Sequence, residues 1–296
     1  MASAKFCLLL LLALGAANAH RCASPLQWVE HVVTASADYA FSVFAADVDD
    51  DGSIDVLSAS MWDNTVALYE NDGAESFSQM IISDAASGAR SVYAADVTGD
   101  GTIDVLAASA YDDKVSLFLN NESFAERVVL TSSADGATCV FASDMDGDGL
   151  ADVLAASAGN DKITLFVNDG AFTARVVTDA QDGAWSVHAK DVNGDGAVDV
   201  LGASYYDDLV AWYSGSDDFA QRIVTSTADG ARSVYAVDLD ADGSVDVLSA
   251  SSHLRRADIA SRRAATPRPR RSVVTGVPQV RQKSRRPSKR RRAVVR

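Results

Sequence analysis

Five times along this chain, aspartates fall at alternating positions of a short loop, in the pattern Asp-x-Asp-x-Asp-Gly-x-x-Asp. The pattern is complete at Asp47, Asp49, Asp51 and Asp55, at Asp144, Asp146, Asp148 and Asp152, and at Asp238, Asp240, Asp242 and Asp246. Two copies carry one neutral oxygen donor in place of an acid: Asp96, Thr98, Asp100 and Asp104, and Asp191, Asn193, Asp195 and Asp199. Acids at positions 1, 3 and 5 of a tight loop converge. Glycine at position 6 permits the bend, and the acid at position 9 closes the shell. The backbone carbonyl at position 7, from Ser53, Thr102, Leu150, Ala197 or Ser244, offers one more oxygen. Calcium takes six to eight oxygens at about 2.3–2.6 Å, so these loops predict Ca2+ sites. The expectation is one ion in each loop, five at most.

Rival chemistries fit less well. An EF-hand needs a glutamate at position 12, where this chain has Ser58, Ala107, Ala155, Gly202 and Ser249. Magnesium resists an all-protein cage, and transition metals favour the imidazole or thiolate that no loop offers. A metal-free Asp-Gly turn with solvated acids is the plain alternative. It suits one copy, but five copies concentrating 18 aspartates at the motif positions would set like charges against each other with nothing to neutralise them.

What positions the loops is a repeat of about 48 residues. The first aspartates, Asp47, Asp96, Asp144, Asp191 and Asp238, are separated by 49, 48, 47 and 47 residues. Before each loop stands a block such as Ser-Val-Phe-Ala-Ala from Ser42 or Ser-Val-Tyr-Ala-Ala from Ser91. After it comes a run such as Ile-Asp-Val-Leu-Ser-Ala-Ser from Ile54. A third run, as in Val115–Leu119 or Val210–Tyr213, and a fourth, as in Phe172–Thr178, complete the unit. Asn-Asp-Gly at Asn71 and Asn168 signals the turn between them. Alternation of apolar and polar residues predicts four short strands per repeat and no helices. Four-stranded units at this period predict an all-β chain of antiparallel blades, a β-propeller that is incomplete, with four full blades and half a fifth. A linear β-array is the alternative arrangement of the same units.

These residues resemble FG-GAP and VCBS repeats, units also found in the propeller of integrin alpha subunits. The resemblance rests on the Asp-x-Asp-x-Asp-Gly-x-x-Asp loops, on the Asp-Val-Leu after each loop, and on Val-Ala-Trp-Tyr at Val210–Tyr213. It covers roughly residues 26–252 and implies propeller blades with calcium in the first hairpin. The family commonly has seven blades. Its members mostly bind ligands, glycans or other proteins.

The two ends differ from this body. Lys5, the apolar run Phe6–Leu14 and Ala17-Asn18-Ala19 predict a signal peptide over 1–19, hence a secreted protein with no transmembrane segment once it is cleaved. Residues 20–252 hold 40 acids against nine Lys and Arg, a net charge near −31 that excludes nucleic acid as partner of the body and favours multivalent cations. Residues 253–296 hold 16 Lys and Arg and one acid, Asp258, and the repeat pattern stops there. This segment is expected to be disordered, or to come from a reading-frame or exon error. Cys22 and Cys139 are left after cleavage; they could pair outside the cell, although Cys139 stands where other repeats have Ser42, Ser91, Ser186 and Ser233.

The functional expectation is a non-enzymatic binding or adhesion module for a glycan or extracellular protein. Its specificity would reside where the repeats differ: Phe41, Arg90, Thr138, Trp185 and Arg232 before the first strand, and Trp62, Tyr111 and Tyr206 after the second. A polysaccharide lyase or hydrolase on the same scaffold is the alternative. The body's histidines are His20, His31 and His188, and there is no Gly-x-Ser-x-Gly.

Overall fold

The computed structural model describes residues 8–12, 29–74, 76–121, 123–252 and 256–260. The predicted cleavage site, His20, Cys22 and nearly all of the basic segment lie outside the described residues.

The described chain is all-β apart from one turn of 3-10 helix at Gly215–Asp217. Two strands come first, β1 (Leu8–Leu12) and β2 (Val29–Thr34), paired antiparallel. β1 falls within the expected leader, and β2 precedes the first repeat. Sheet 1 follows as β3 (Ala40–Ala46), β4 (Asp55–Ser60), β5 (Thr65–Asn71) and β6 (Phe77–Ser83). Sheet 2 is β7 (Ala89–Ala95), β8 (Asp104–Ser109), β9 (Lys114–Leu119) and β10 (Glu126–Thr131). Sheet 3 is β11 (Ala137–Ser143), β12 (Asp152–Ser157), β13 (Lys162–Val167) and β14 (Thr173–Thr178). Sheet 4 is β15 (Ala184–Lys190), β16 (Asp199–Ser204), β17 (Val210–Ser214) and β18 (Ala220–Thr225). Each of these four is an antiparallel meander in sequence order.

The fifth sheet corrects an expectation. Half a repeat was expected, but β19 (Ala231–Val237) and β20 (Asp246–Ser251) are joined by a third strand, β21 (Arg256–Ala260). Its register runs from Ser251↔Arg256 to Val247↔Ala260. The physical reason is that ladder pairing uses backbone N–H and C=O groups. An extended segment can therefore close the open edge of β20 without the repeat's side-chain pattern.

The core lies between successive sheets. In each repeat a Leu-x-Ala pair of the second strand meets a Val-x-Ala pair of the next repeat's first strand. Leu57 and Ala59 pack with Val92 and Ala94, and Leu106 and Ala108 with Val140 and Ala142. Leu154 and Ala156 pack with Val187 and Ala189, and Leu201 and Ala203 with Val234 and Ala236. Second strands of the first four sheets are buried at every residue, which explains their small Ala, Ser and Gly side chains. Neighbouring first strands are also stitched by hydroxyls: the N–H groups of Val92, Val140 and Val234 donate to Ser42, Ser91 and Ser186 Oγ at 3.3, 3.1 and 3.3 Å. Cys139 takes the corresponding place, without a disulfide partner among the described residues, its Sγ 3.8 Å from the Val187 carbonyl oxygen. Burial pushes its pKa up, which keeps it protonated and inert.

Candidate metal centre

Each Asp-rich loop joins the first strand of a sheet to the second. Gly52, Gly101, Gly149, Gly196 and Gly243, at position 6, have φ of +89, +89, +93, +91 and +86°. Only glycine adopts this conformation without strain, so the expected role of position 6 is met in every copy. Position 4 is also left-handed, as Asp50, Gly99, Gly147, Gly194 and Ala241, a need that the spacing of acids did not reveal.

The position-1 aspartate folds the loop around itself. The position-6 N–H donates to Oδ2 of Asp47, Asp96, Asp144, Asp191 and Asp238 at 3.0, 2.9, 3.0, 3.0 and 2.9 Å. Position 3 receives the N–H of position 5 at Asp49, Asp146, Asn193 and Asp240. Position 5 is turned toward position 7: the N–H groups of Ser53, Thr102, Leu150, Ala197 and Ser244 donate to Asp51, Asp100, Asp148, Asp195 and Asp242 at 2.7–2.9 Å.

The position-9 aspartates Asp55, Asp104, Asp152, Asp199 and Asp246 are at most 3% exposed. One oxygen accepts the N–H of position 2, from Val48, Val97, Met145, Val192 and Leu239 at 2.8–3.2 Å. In the first four sheets the other accepts an N–H just after or at the end of the third strand, from Asn71, Asn120, Asn168 and Gly215 at 2.7–3.0 Å. This buried carboxylate therefore staples loop to sheet as well as facing the cluster. Burial raises the pKa of Asp104, Asp152 and Asp199, opposed by these donors. Exposed Asp100 and Asp195 are lowered, mainly by the hydroxyls of Thr102 and Ser216.

The structure brings carboxylate oxygens of positions 1, 3 and 9 within 4.8 Å of one another in three loops: Asp47, Asp49 and Asp55; Asp144, Asp146 and Asp152; Asp238, Asp240 and Asp246. The position-5 acids Asp51, Asp148 and Asp242 stand outside these groups. In the second and fourth loops, Thr98 and Asn193 replace the position-3 acid and no such group forms among the described residues. Thr98 Oγ1 instead donates to Asp104 at 3.3 Å. In the first loop Asp47 Oδ1 is buried with no hydrogen-bond partner. A buried carboxylate oxygen without a donor, beside two more carboxylates, is the condition a bound cation relieves. The residues present therefore fit a hard, oxygen-seeking cation.

Sequence reasoning took Asn168 for a hairpin former only and gave Asn120 no role. Asn120 Nδ2 also donates to Val48 O at 3.0 Å, and Asn168 Nδ2 to Val97 O at 2.7 Å. Each reaches back from one sheet to the loop of the sheet before it. Recurrence of Asn after the third strand was the available signal.

Residues 47–107, 96–155, 144–202 and 191–249 each match the profile of the FG-GAP-like repeat. No curated protein matches the chain. A similar solved structure is the V. cholerae biofilm matrix protein Bap1, with TM-score 0.48 and 19% identity, covering 75% of this chain and 37% of that one. The chain thus spans little more than a third of that protein's structure.

Proposed function

The chain belongs to the FG-GAP-like repeat family, and from that premise we propose that it is a secreted, calcium-stapled β-propeller-type module that binds an extracellular glycan or protein. The observation that carries the calcium reading is the convergence of three carboxylates within 4.8 Å in each of three loops. At that separation each pair of like charges costs about 1 kcal/mol in water and several times more where water is scarce. Asp47, Asp49 and Asp55 would hold the first ion, with Asp51 and the Ser53 carbonyl completing the shell; the third and fifth loops repeat this set. The second and fourth loops, with Thr98 and Asn193, would bind more weakly. Bound calcium supplies charge neutralisation and rigidity, not reaction chemistry.

Sites filled at ~1 mM calcium with a Kd of ~10⁻⁴ M would each add about 1.4 kcal/mol, or about 4 kcal/mol for three. That is a large share of a domain's stability. The melting temperature is therefore expected to fall by several degrees when calcium is replaced by a chelator, and magnesium is expected to restore little of it. Superimposable melting curves in calcium and in chelator would remove the reading.

A propeller-type curvature is supported by Arg90 of sheet 2 reaching Trp185 of sheet 4 across sheet 3, at 5.4 Å. His188 is 8% exposed and packed between the rings of Phe141 and Tyr235, which leaves it out of any acid–base role. Secretion is supported by the apolar run Phe6–Leu14 and the small residues Ala17 and Ala19.

Among the described residues, no helix is long and apolar enough to cross a membrane.

A further inference from the structure

Every first strand carries a break in register two residues before its recurring Val: between Ala40 and Ser42, Ala89 and Ser91, Ala137 and Cys139, Ala184 and Ser186, and Ala231 and Ser233. The residues skipped are Phe41, Arg90, Thr138, Trp185 and Arg232, positions at which the repeats disagree. A bulge of this kind re-aims one side chain while the ladder continues on either side. Thr138 turns inward and donates to the carbonyls of Ala156 and Ala184 at 3.0 and 2.9 Å. The other four meet. Arg90 lies 5.8 Å from the Phe41 ring and 5.4 Å from the Trp185 ring. Arg232 lies 4.6 Å from the same Trp185 ring and 4.8 Å from that of Tyr205. Residues more than 140 apart in sequence, from sheets 1, 2, 4 and 5, thus form one cluster.

Two guanidinium groups on one indole is an unusual use of scarce cations. The body has nine Lys and Arg among 40 acids, yet neither Arg90 nor Arg232 has an ion-pair partner among the described residues. Arg90 Nε is buried without a hydrogen-bond partner among the described residues. Burial, and to a lesser degree the nearby charge of Arg232, lower the Arg90 pKa. Stacking occupies the face of a guanidinium and leaves its N–H edge free, and that edge fits a carboxylate in a bidentate manner.

Flat rings lie beside these forks. Trp62 is 52% exposed and stacked on Tyr39 at 4.7 Å. Tyr111 and Tyr206 are 60% and 66% exposed, and their rings rest on Gly88 and Gly183. A Cβ at either glycine would stand 2.6 or 2.5 Å from the ring, so each ring is held in a fixed plane from behind. Rigid exposed aromatic planes take the C–H faces of pyranose rings, and guanidinium forks take the carboxylates those rings can carry.

We propose that this end of the repeats, at the opposite end of the first strands from the Asp-rich loops, binds an acidic polysaccharide through uronate carboxylates on Arg90 and Arg232 and sugar faces on the neighbouring rings. The proposal deepens the binding-module reading and uses none of the calcium-loop residues. The body's net negative charge works against any polyanion, and Asp38, Asp63 and Asp182 stand at this same end, where the Trp62 and Tyr206 N–H groups donate to the Asp38 and Asp182 carbonyls. Binding therefore rests on direct contact with the two guanidinium groups and is expected to weaken when salt is lowered below physiological strength, because the surrounding carboxylates are then less screened.

The test is a titration of the full chain with tetragalacturonate at physiological salt and excess calcium, read by tryptophan emission and calorimetry. Saturable quenching is expected, much reduced in Trp185→Phe. Arg232→Ala is expected to weaken binding at least tenfold and Arg232→Lys nearly as much, with melting temperatures lowered by no more than a few degrees, because Arg232 is exposed and gives up only its stacking on Trp185 and Tyr205. Neutral galactotetraose and a tetraglutamate peptide are expected to bind at least tenfold more weakly. Absence of tetragalacturonate binding would overturn the proposal. So would equal binding of tetraglutamate, which shows that charge alone suffices, or full affinity in Arg232→Ala, which places the ligand on the basic segment or the metal loops. Each of these failures leaves the calcium dependence of melting untouched.

Discussion

At the residue scale, aspartates that look alike in sequence do different work. Asp146, at position 3 of the third loop, is exposed and, among the described residues, holds only the Asp148 N–H at 3.1 Å. Asp152, at position 9, is 1% exposed and accepts the N–H groups of Met145 and Asn168 at 2.8 and 2.7 Å. Asp146→Asn is therefore expected to leave the melting temperature in chelator unchanged and to remove one site's share of the gain from calcium. Asp152→Ala is expected to lower melting in both conditions, by about 3 kcal/mol or more, since hydrogen bonds to a charged group are worth about 1.5–3 kcal/mol each. Paired melting curves of the two variants check this. The spacing made all 18 acids legible as one motif. It could not separate ligand from staple, because a calcium ion and a backbone N–H both call for a carboxylate oxygen.

At the element scale, the packing of one sheet on the next admits one exception whose logic is internal to the repeat. Residues 21 apart, one in the connecting loop and one in the second strand, are Ala37 and Ser58, Ala86 and Ala107, Ala134 and Ala155, and Ala228 and Ser249. In the fourth repeat they are Gln181 and Gly202. Gln181 is fully buried with neither amide atom partnered, and a Cβ at Gly202 would stand 2.1 Å from its Oε1. The long side chain fills the space the glycine leaves, at the cost of about 1–3 kcal/mol for an unsatisfied amide. Gly202→Ala alone is expected to destabilise, whereas Gln181→Ala with Gly202→Ala is expected to exceed the parent by about 1–2 kcal/mol. Denaturant unfolding of the two single variants and the double variant measures the coupling. The strands themselves were legible because apolar alternation and a 47–49-residue period recur. β21 was not, since Arg256–Ala260 lacks the repeat's signature and pairs through its backbone. The five bulges also escaped notice, because a slip of one residue leaves no compositional mark.

At the scale of the whole molecule, one row of rings links all five sheets. Phe44, Tyr93, Phe141, His188 and Tyr235 occupy the same position of successive first strands, with centroids 4.5, 4.8, 4.6 and 4.6 Å apart. Burial, helped by Lys190, lowers the His188 pKa to about 4. Between its usual value of about 6.5 and about 4, the unfolded chain takes up a proton that folded His188 refuses. Stability is thus expected to be full above pH 6.5, to fall through that window and to level off below it, with a loss on the order of 2–3 kcal/mol from this group. His188→Tyr should lessen the decline when both proteins are melted in chelator; the raised carboxyls of Asp104, Asp152 and Asp199 act in the opposite direction in both and cancel in the difference. The ladder positions were visible in the sequence as a column of Phe, Tyr, Phe, His and Tyr. Their mutual contact was not, because it depends on how successive sheets lie on one another.

The body's net charge near −31 is the other molecular property, and 18 of its acids occupy positions 1, 3, 5 and 9 of the five loops. The most direct test of this account is isothermal titration of calcium into the metal-stripped full chain, alongside a variant carrying Asp49→Asn, Asp146→Asn and Asp240→Asn. The account predicts saturable calcium uptake by the parent at three stronger sites with up to two weaker ones, and loss of the three strong sites in the variant. Absence of binding heat in the parent at millimolar calcium, with a melting temperature that calcium does not move, would contradict it.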